Sequence, residues 1–285
     1  MAPVRVIAVV AAHRPDAQLA DRLALVTPQV AAIVVVDDGS GMAPPQADVE
    51  FVPLDTNRGI AAALNAGVVR ARELGATHVL TLDQDTSLGL DYVARALSTF
   101  ERATTTRIGA VVVDVINETA SLPTWVSPEG IALAPEAIQS GMVVALDCID
   151  DAGGFDERLF IDSVDREFCQ RIRSRGWAVA IATGASIEHT IGRLEPLPDG
   201  GAYEWHEPFR QYYIVRNAVI VARRFRRLEH EWSRATLRRT LDESRKIVRN
   251  GPRRGKHALA SIAGLVDGLF GRGGRIPRGL ERLLR

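Results

Sequence analysis

Only two cysteines, Cys148 and Cys169, occur in 285 residues. That is too few for a disulfide framework, and a reducing compartment is the simpler expectation. Long apolar runs are missing too: the longest, residues 6–12 and 30–36, have seven residues each. A spanning helix needs roughly 20 apolar residues, so no transmembrane segment is expected. Residues 6–12 are better read as a strand than as the core of a signal peptide. Neither sign of charge is in excess, with 35 basic and 35 acidic residues, so net charge names no partner. Two phosphate-binding signatures are also absent. There is no G-x-x-x-x-G-K-[ST], and the first strand runs into Ala11-Ala12-His13-Arg14-Pro15 rather than G-x-G-x-x-G. P-loop hydrolases and dinucleotide-binding folds are therefore disfavoured.

What is present is an ordinary globular composition, 46% hydrophobic and 25% charged, which excludes collagen-like and wholly disordered classes. The length suits one large α/β domain, or one with an appendage. Charge is unevenly placed. Residues 219–285 hold 18 basic against 6 acidic side chains, a net +12, so the preceding residues carry −12. This predicts an acidic body, residues 1–222, and a basic helical extension, residues 223–285.

Residues 4–12, 31–36, 49–53, 77–82 and 108–113 read as strands, and residues 15–26, 59–74 and 90–100 as helices. Such alternation predicts a mainly parallel sheet with right-handed crossovers, whose ligands bind beyond the carboxyl ends of the strands. Two acidic clusters lie at those ends: Asp37-Asp38-Gly39-Ser40 and Asp83-Gln84-Asp85. The second half is less regular. Short strands are expected within 124–146, a helix at 164–175, a strand at 178–182, and helices at 207–227 and 229–248.

Carboxylates one residue apart at a strand end can hold Mg²⁺ or Mn²⁺, which prefer oxygen ligands and leave positions open for phosphate oxygens. A metal there would neutralise a departing nucleotide diphosphate. Each cluster alone is also an ordinary turn sequence; the shared sheet edge is what points to a site. Asp162, Asp165 and Glu167 stand near a helix start, where acids cap the helix or complement its dipole. They are also the candidates for a general base.

Taken in order, several motifs resemble a known family. They are the Asp37–Ser40 cluster, Asn57-Arg58-Gly59-Ile60-Ala61 with Asn65-Ala66-Gly67, Asp83-Gln84-Asp85, and Gly153-Gly154-Phe155-Asp156-Glu157. After them come Leu159–Cys169, Glu188-His189-Thr190-Ile191-Gly192 and Tyr212-Tyr213-Ile214-Val215-Arg216-Asn217. Over residues 4–221 the set resembles glycosyltransferase family 2, with its GT-A fold, and within it the bacterial rhamnosyltransferase branch that builds surface polysaccharides. The resemblance implies an inverting, metal-dependent sugar transfer. It puts Asp37 or Asp38 on the donor's base and ribose, and Asn57, Gly59 and Asn65 along the nucleotide pocket. Asp83 would face the ribose, Asp85 and His189 would bind the metal, and Asp165 would be the base. Asp162 and Glu167 would orient acceptor hydroxyls. Arg216, close behind two tyrosines, is expected to reach the diphosphate bidentately.

The expected donor is a nucleotide sugar, dTDP-rhamnose in the first place, and the acceptor a saccharide or a lipid-linked saccharide. Galactofuranose or another hexose is the alternative cargo. A non-catalytic nucleotide-sugar-binding protein is a different class, against which the joint presence of Asp83, Asp85 and Asp165 argues. Nucleic acid is not expected as a partner, because the Arg-rich tail lacks interleaved aromatics. In that tail Leu259, Ile262, Ala263, Val266 and Leu269–Phe270 recur at helical spacing between basic clusters. This face predicts either docking on an anionic membrane or packing against the protein. A cytoplasmic protein, peripheral on the inner face of the cell membrane, is the matching location, and a homo-oligomer is left open.

Overall fold

A computed structural model describes residues 3–44, 48–121, 123–190, 192–197 and 200–285. Ile191, part of the His189 motif, lies outside the described residues. The chain divides into two compact units. The first comprises Met1–Asp156 with Val164–Thr190; the second comprises Glu157–Ser163 with Ile191–Arg285.

The first unit begins with β1 (Val6–Ala12), α1 (Leu19–Val26), β2 (Ala32–Asp37), β3 (Glu50–Pro53), α2 (Ile60–Glu73) and β4 (His78–Asp83). It continues through β5 (Thr86–Leu88), α3 (Tyr92–Arg102), β6 (Ile108–Val112), β7 (Val115–Ile116), β8 (Thr119–Ala120), β9 (Trp125–Val126) and β10 (Ala132–Leu133). It closes with β11 (Met142–Ala145), α4 (Leu146–Ala152), α5 (Val164–Arg173), β12 (Ala178–Ile181) and β13 (Ser186–His189).

Among the described residues a nine-stranded sheet runs β3-β2-β1-β4-β11-β6-β12-β10-β9. Its first four strands are parallel. β11 is antiparallel to both neighbours, so β6 and β12 regain the direction of β4. The central strands are continuous Val, Ile, Leu and Ala because helices cover both faces. On one face Ala8, Val10 and Leu80 pack with Leu19 and Leu23 of α1 and with Tyr92 and Ala96 of α3. On the other, α2 comes so close that a Cβ on Gly67 would lie 2.2 Å from Val9. The Asn65-Ala66-Gly67 motif is thus partly a packing requirement. A smaller sheet, β5-β13-β7-β8, stands beyond β4; sequence periodicity does not reveal strands so short.

The second unit holds the hairpin β14 (Arg193–Pro196) and β15 (Ala202–Trp205), then α6 (Pro208–Phe225), α7 (His230–Asn250), α8 (Arg254–Leu269) and α9 (Arg278–Leu284). Within this unit α6, with Tyr212, Val215 and Val219 buried, packs against α7 and α8.

Candidate active site

Strand register brings the two acidic clusters together. Ala12 of β1 pairs with Asp37, and Ala11 pairs with Asp83 on the opposite side. The two aspartates therefore lie within one residue of each other along the sheet, flanking the end of β1. This is the point where the connections diverge, and where open α/β sheets bind ligands.

Asp37 and Asp38 are both buried. Asp37 accepts hydrogen bonds from the amides of Ser40, at 3.1 Å, and Gly41, at 2.6 Å, and so closes its own turn. Asp38 accepts from the amides of Arg58, at 2.6 Å, and Gly59, at 2.9 Å. Burial pushes the Asp38 carboxyl above its ordinary pKa, and the two amides oppose that rise. Gly39 has φ +71°, and a Cβ there would fall 2.3 Å from the Asn57 nitrogen. Only glycine permits this contact. The pair thus ties the 37–41 turn to the Asn57–Gly59 turn, and the two form one wall. Asn65 stands elsewhere. Its amide donates to the Phe155 carbonyl at 2.9 Å and accepts from the Phe155 amide at 2.8 Å. Asn65, expected along the nucleotide pocket, thus also clasps Phe155.

Asp83, Asp85 and His189 converge, with one ligand atom from each lying within 4.8 Å of the others. The small sheet explains the third member. β13 runs antiparallel to β5 and sets His189 opposite Thr86, the residue after Asp85. The Thr86 hydroxyl lies 2.9 Å from His189 Nδ1 and 2.6 Å from the Ser140 hydroxyl. Ser140 Oγ accepts from the Asp83 amide at 3.0 Å, and Gln139 Nε2 donates to Asp83 Oδ1 at 2.5 Å. Thr86, Gln139 and Ser140 are buried. They form a shell that orients the triad, as outer partners of metal ligands do.

Burial raises the Asp83 carboxyl to about 6; the like charges of Asp85 and Asp165 add to the rise, and His189 opposes it. Burial also opposes ionisation of Asp85. Even so, the hydrogen bond and charge of His189, with Arg22, hold its carboxyl below the ordinary range. Two carboxylates and one imidazole suit a divalent cation: the oxygens fit Mg²⁺ or Mn²⁺, and the nitrogen shifts the balance toward Mn²⁺. Gln84, between the two aspartates, faces the other way. Its Oε1 accepts from the His13 amide at 2.7 Å, and its carbonyl accepts from Arg22 at 3.0 Å.

Asp165, in the first turn of α5, is half-buried and lies within electrostatic reach of Asp83. Glu167 departs from expectation. It is fully buried and paired with Arg171 at 2.8 Å. Arg171 Nη2 also donates to the Gly154 carbonyl at 2.6 Å. Glu167 therefore fastens α5 to the Gly153–Gly154 turn and has no surface left for an acceptor.

Within the second unit, Asp162, expected to orient the acceptor, pairs with Arg210 at 3.1 Å. Arg216 is fully buried, with its guanidinium 4.8 Å from the Tyr213 ring centroid. It donates to the carbonyls of Leu159, at 2.9 Å, and Gly274. Asn217 donates to the carbonyls of Leu159, Ile161 and Asp162 at 2.7–2.8 Å. The diphosphate contact expected of Arg216 is thus corrected. The Tyr212–Asn217 motif grips residues 159–162, where Phe160 and Asp162 have φ of +65° and +66°. Local sequence reasoning missed this clamp and the Thr86–Ser140 shell. Their only signal is polar residues inside otherwise apolar elements.

A family model described as "Glycosyl transferase family 2" matches residues 9–160, just over half of the chain. The dTDP-rhamnosyl transferase RfbF of Shigella flexneri is 28% identical over 212 residues, covering 67% of this chain and 71% of that protein. Among solved structures, TarS residues 1–349 of S. aureus, in complex with UDP-GlcNAc, superposes with a TM-score of 0.60 at 14% identity. That match covers 99% of this chain and 84% of the other. The mannosyltransferase PcManGT of Pyrobaculum calidifontis, in complex with GDP-Man and Mn²⁺, gives 0.58 at 15% identity, over 94% and 88% of the two chains. The α/β architecture is thus of GT-A type, with C-terminal helices.

Proposed function

The chain belongs to glycosyltransferase family 2, and from that premise we propose that this glycosyltransferase transfers L-rhamnose from dTDP-rhamnose, with inversion, to a saccharide or lipid-linked saccharide of a surface polysaccharide. The observation that carries the proposal is the convergence of Asp83, Asp85 and His189 at the strand ends, with Asp165 within electrostatic reach. The rhamnosyl donor rests on the Shigella relative.

In this reading the wall formed by Asp37–Gly41 and Asn57–Gly59 receives the base and ribose, and Asp83 faces the ribose. Asp85 and His189 would hold Mg²⁺ or Mn²⁺, which supplies charge neutralisation for the diphosphate. Asp165 takes the proton of the acceptor hydroxyl as that oxygen bonds to the anomeric carbon and the carbon–diphosphate bond breaks. The proton then passes from Asp165 to water.

A panel of nucleotide sugars, assayed for donor hydrolysis and transfer with Mn²⁺ or Mg²⁺, tests the reading. Turnover of dTDP-rhamnose well above UDP-galactofuranose and UDP-glucose is the expected result. A different preferred donor would move the cargo to another hexose, and turnover unaffected by chelator would remove the metal.

A further inference from the structure

In an ordinary surface helix the large apolar side chains face inward and the small or polar ones face water. α8 is reversed. Its inward face is His257, Ala260, Gly264 and Gly268, all buried. A Cβ on Gly264 would lie 2.5 Å from the Tyr212 carbonyl oxygen, and one on Gly268 would lie 2.8 Å from that of Arg216. The backbone of α8 therefore rests directly on α6, and no large side chain fits between them. The outward face is Leu259, Ile262, Leu265, Val266, Leu269 and Phe270. Ile262 is 61% exposed and Phe270 73%. Six large apolar side chains in one stripe, open to water, are an interaction surface rather than a stray exposure.

Charge identifies the occupant. Arg253, Arg254 and Lys256 precede or open the helix, Arg272 and Arg275 follow it, and Arg278 and Arg282 lie on α9. The acids of this stretch are already engaged. Asp267 accepts from the Tyr212 hydroxyl and pairs with Arg272, and Glu281 pairs with Arg275 and Arg285. Arg254, Arg278 and Arg282 make no ion pair among the described residues, and all three are exposed. A second copy on this face would bring two cationic collars together, which like-charge repulsion disfavours. α8 has 16 residues, and no helix among the described residues is long and apolar enough to cross a membrane.

We propose that the outward face of α8 lies in the plane of an anionic lipid surface. Its aliphatic and aromatic side chains enter the headgroup–acyl boundary, and the flanking arginines contact the lipid phosphates. The inference stands on the second unit alone and is independent of which sugar is transferred.

The test uses the full chain and co-sedimentation with two kinds of vesicle, phosphatidylcholine alone and phosphatidylcholine with phosphatidylglycerol. One variant combines Ile262→Gln, Val266→Gln and Phe270→Gln; another combines Arg254→Gln, Arg278→Gln and Arg282→Gln. All six positions are exposed, and equal thermal unfolding midpoints would show that the fold is kept. The expected result is binding to anionic vesicles that weakens with salt, and a loss of about tenfold or more in each variant. Three results would overturn the proposal. They are no binding by the full chain at low salt, unchanged binding by the apolar variant, or a concentration-dependent dimer in sedimentation velocity that the apolar variant abolishes.

Discussion

Asp165 and Asp85 are both acids at the mouth of one sheet, and the proposed mechanism gives them different work. Asp165→Asn keeps the shape but cannot accept a proton, so kcat should fall by about 10²–10⁴-fold. Calorimetry with the donor nucleotide should show unchanged affinity, since in the proposed mechanism the residue faces the acceptor; normal turnover would move the base elsewhere. Asp85→Ala should abolish Mn²⁺-dependent nucleotide binding. Asp83 adds a pH dependence. A carboxyl raised to about 6 is increasingly protonated below that pH, which removes a negative charge from beside the cation site proposed at Asp85 and His189. Apparent Mn²⁺ affinity should therefore fall as pH drops through about 6 and level off above 7. A Mn²⁺ titration that is flat from pH 5 to 7 would contradict this.

Single elements place these residues, and their failures should look different. β13 delivers His189 only because it pairs with β5, and Thr86 Oγ1 then fixes the imidazole. Thr86→Val keeps the volume and removes the hydroxyl. Metal affinity should drop by about 10–100-fold, as is usual when an outer-shell partner is lost, with little change in the unfolding midpoint. Asn217 acts on a loop instead. Asn217→Ala takes the amide donor from the carbonyls of Ile161 and Asp162, while that of Leu159 keeps Arg216, and destabilisation of roughly 1–3 kcal/mol should appear in urea unfolding. A wild-type urea midpoint would show that water replaces the amide without cost.

On the scale of the whole molecule, the two units carry different chemistry: the first holds the acidic mouth, the second a helical assembly with a cationic, apolar surface. The second unit should also be the acid-sensitive one. His257 is fully buried on α8, and neither ring nitrogen has a hydrogen-bond partner among the described residues. Burial, with the nearby His206 and Arg253, lowers its pKa to about 4. A folded-state value below the unfolded one means that stability is complete above pH 6.5 and lost progressively as pH falls from about 6.5 toward 4. His206, its neighbour at a ring-centroid distance of 6.1 Å, shifts the same way through burial. Urea unfolding at pH 7 and pH 5 should show the loss, and His257→Leu should reduce it; an unchanged pH slope in that variant would count against the assignment.

The alternation of strands and helices, the acidic strand ends and the apolar stripe of α8 are all legible in the sequence. Each of these is a local pattern: a period of 2 or 3.6, or a carboxylate one residue past an apolar run. The rest depends on partners distant in the chain. His189 meets Asp85 through a strand pairing that no local period announces. Asn65, Glu167 and Arg216 carry the right chemistry for a site, but the fold engages them with the backbone of Phe155, with Arg171, and with the carbonyls of Leu159 and Gly274. Most buried polar side chains are hydrogen-bonded, and the partner exists only once the chain has folded. The direction of α8 was decided in the same way. Its sequence announces an apolar face, but only the fit of Gly264 and Gly268 against α6 turns that face outward.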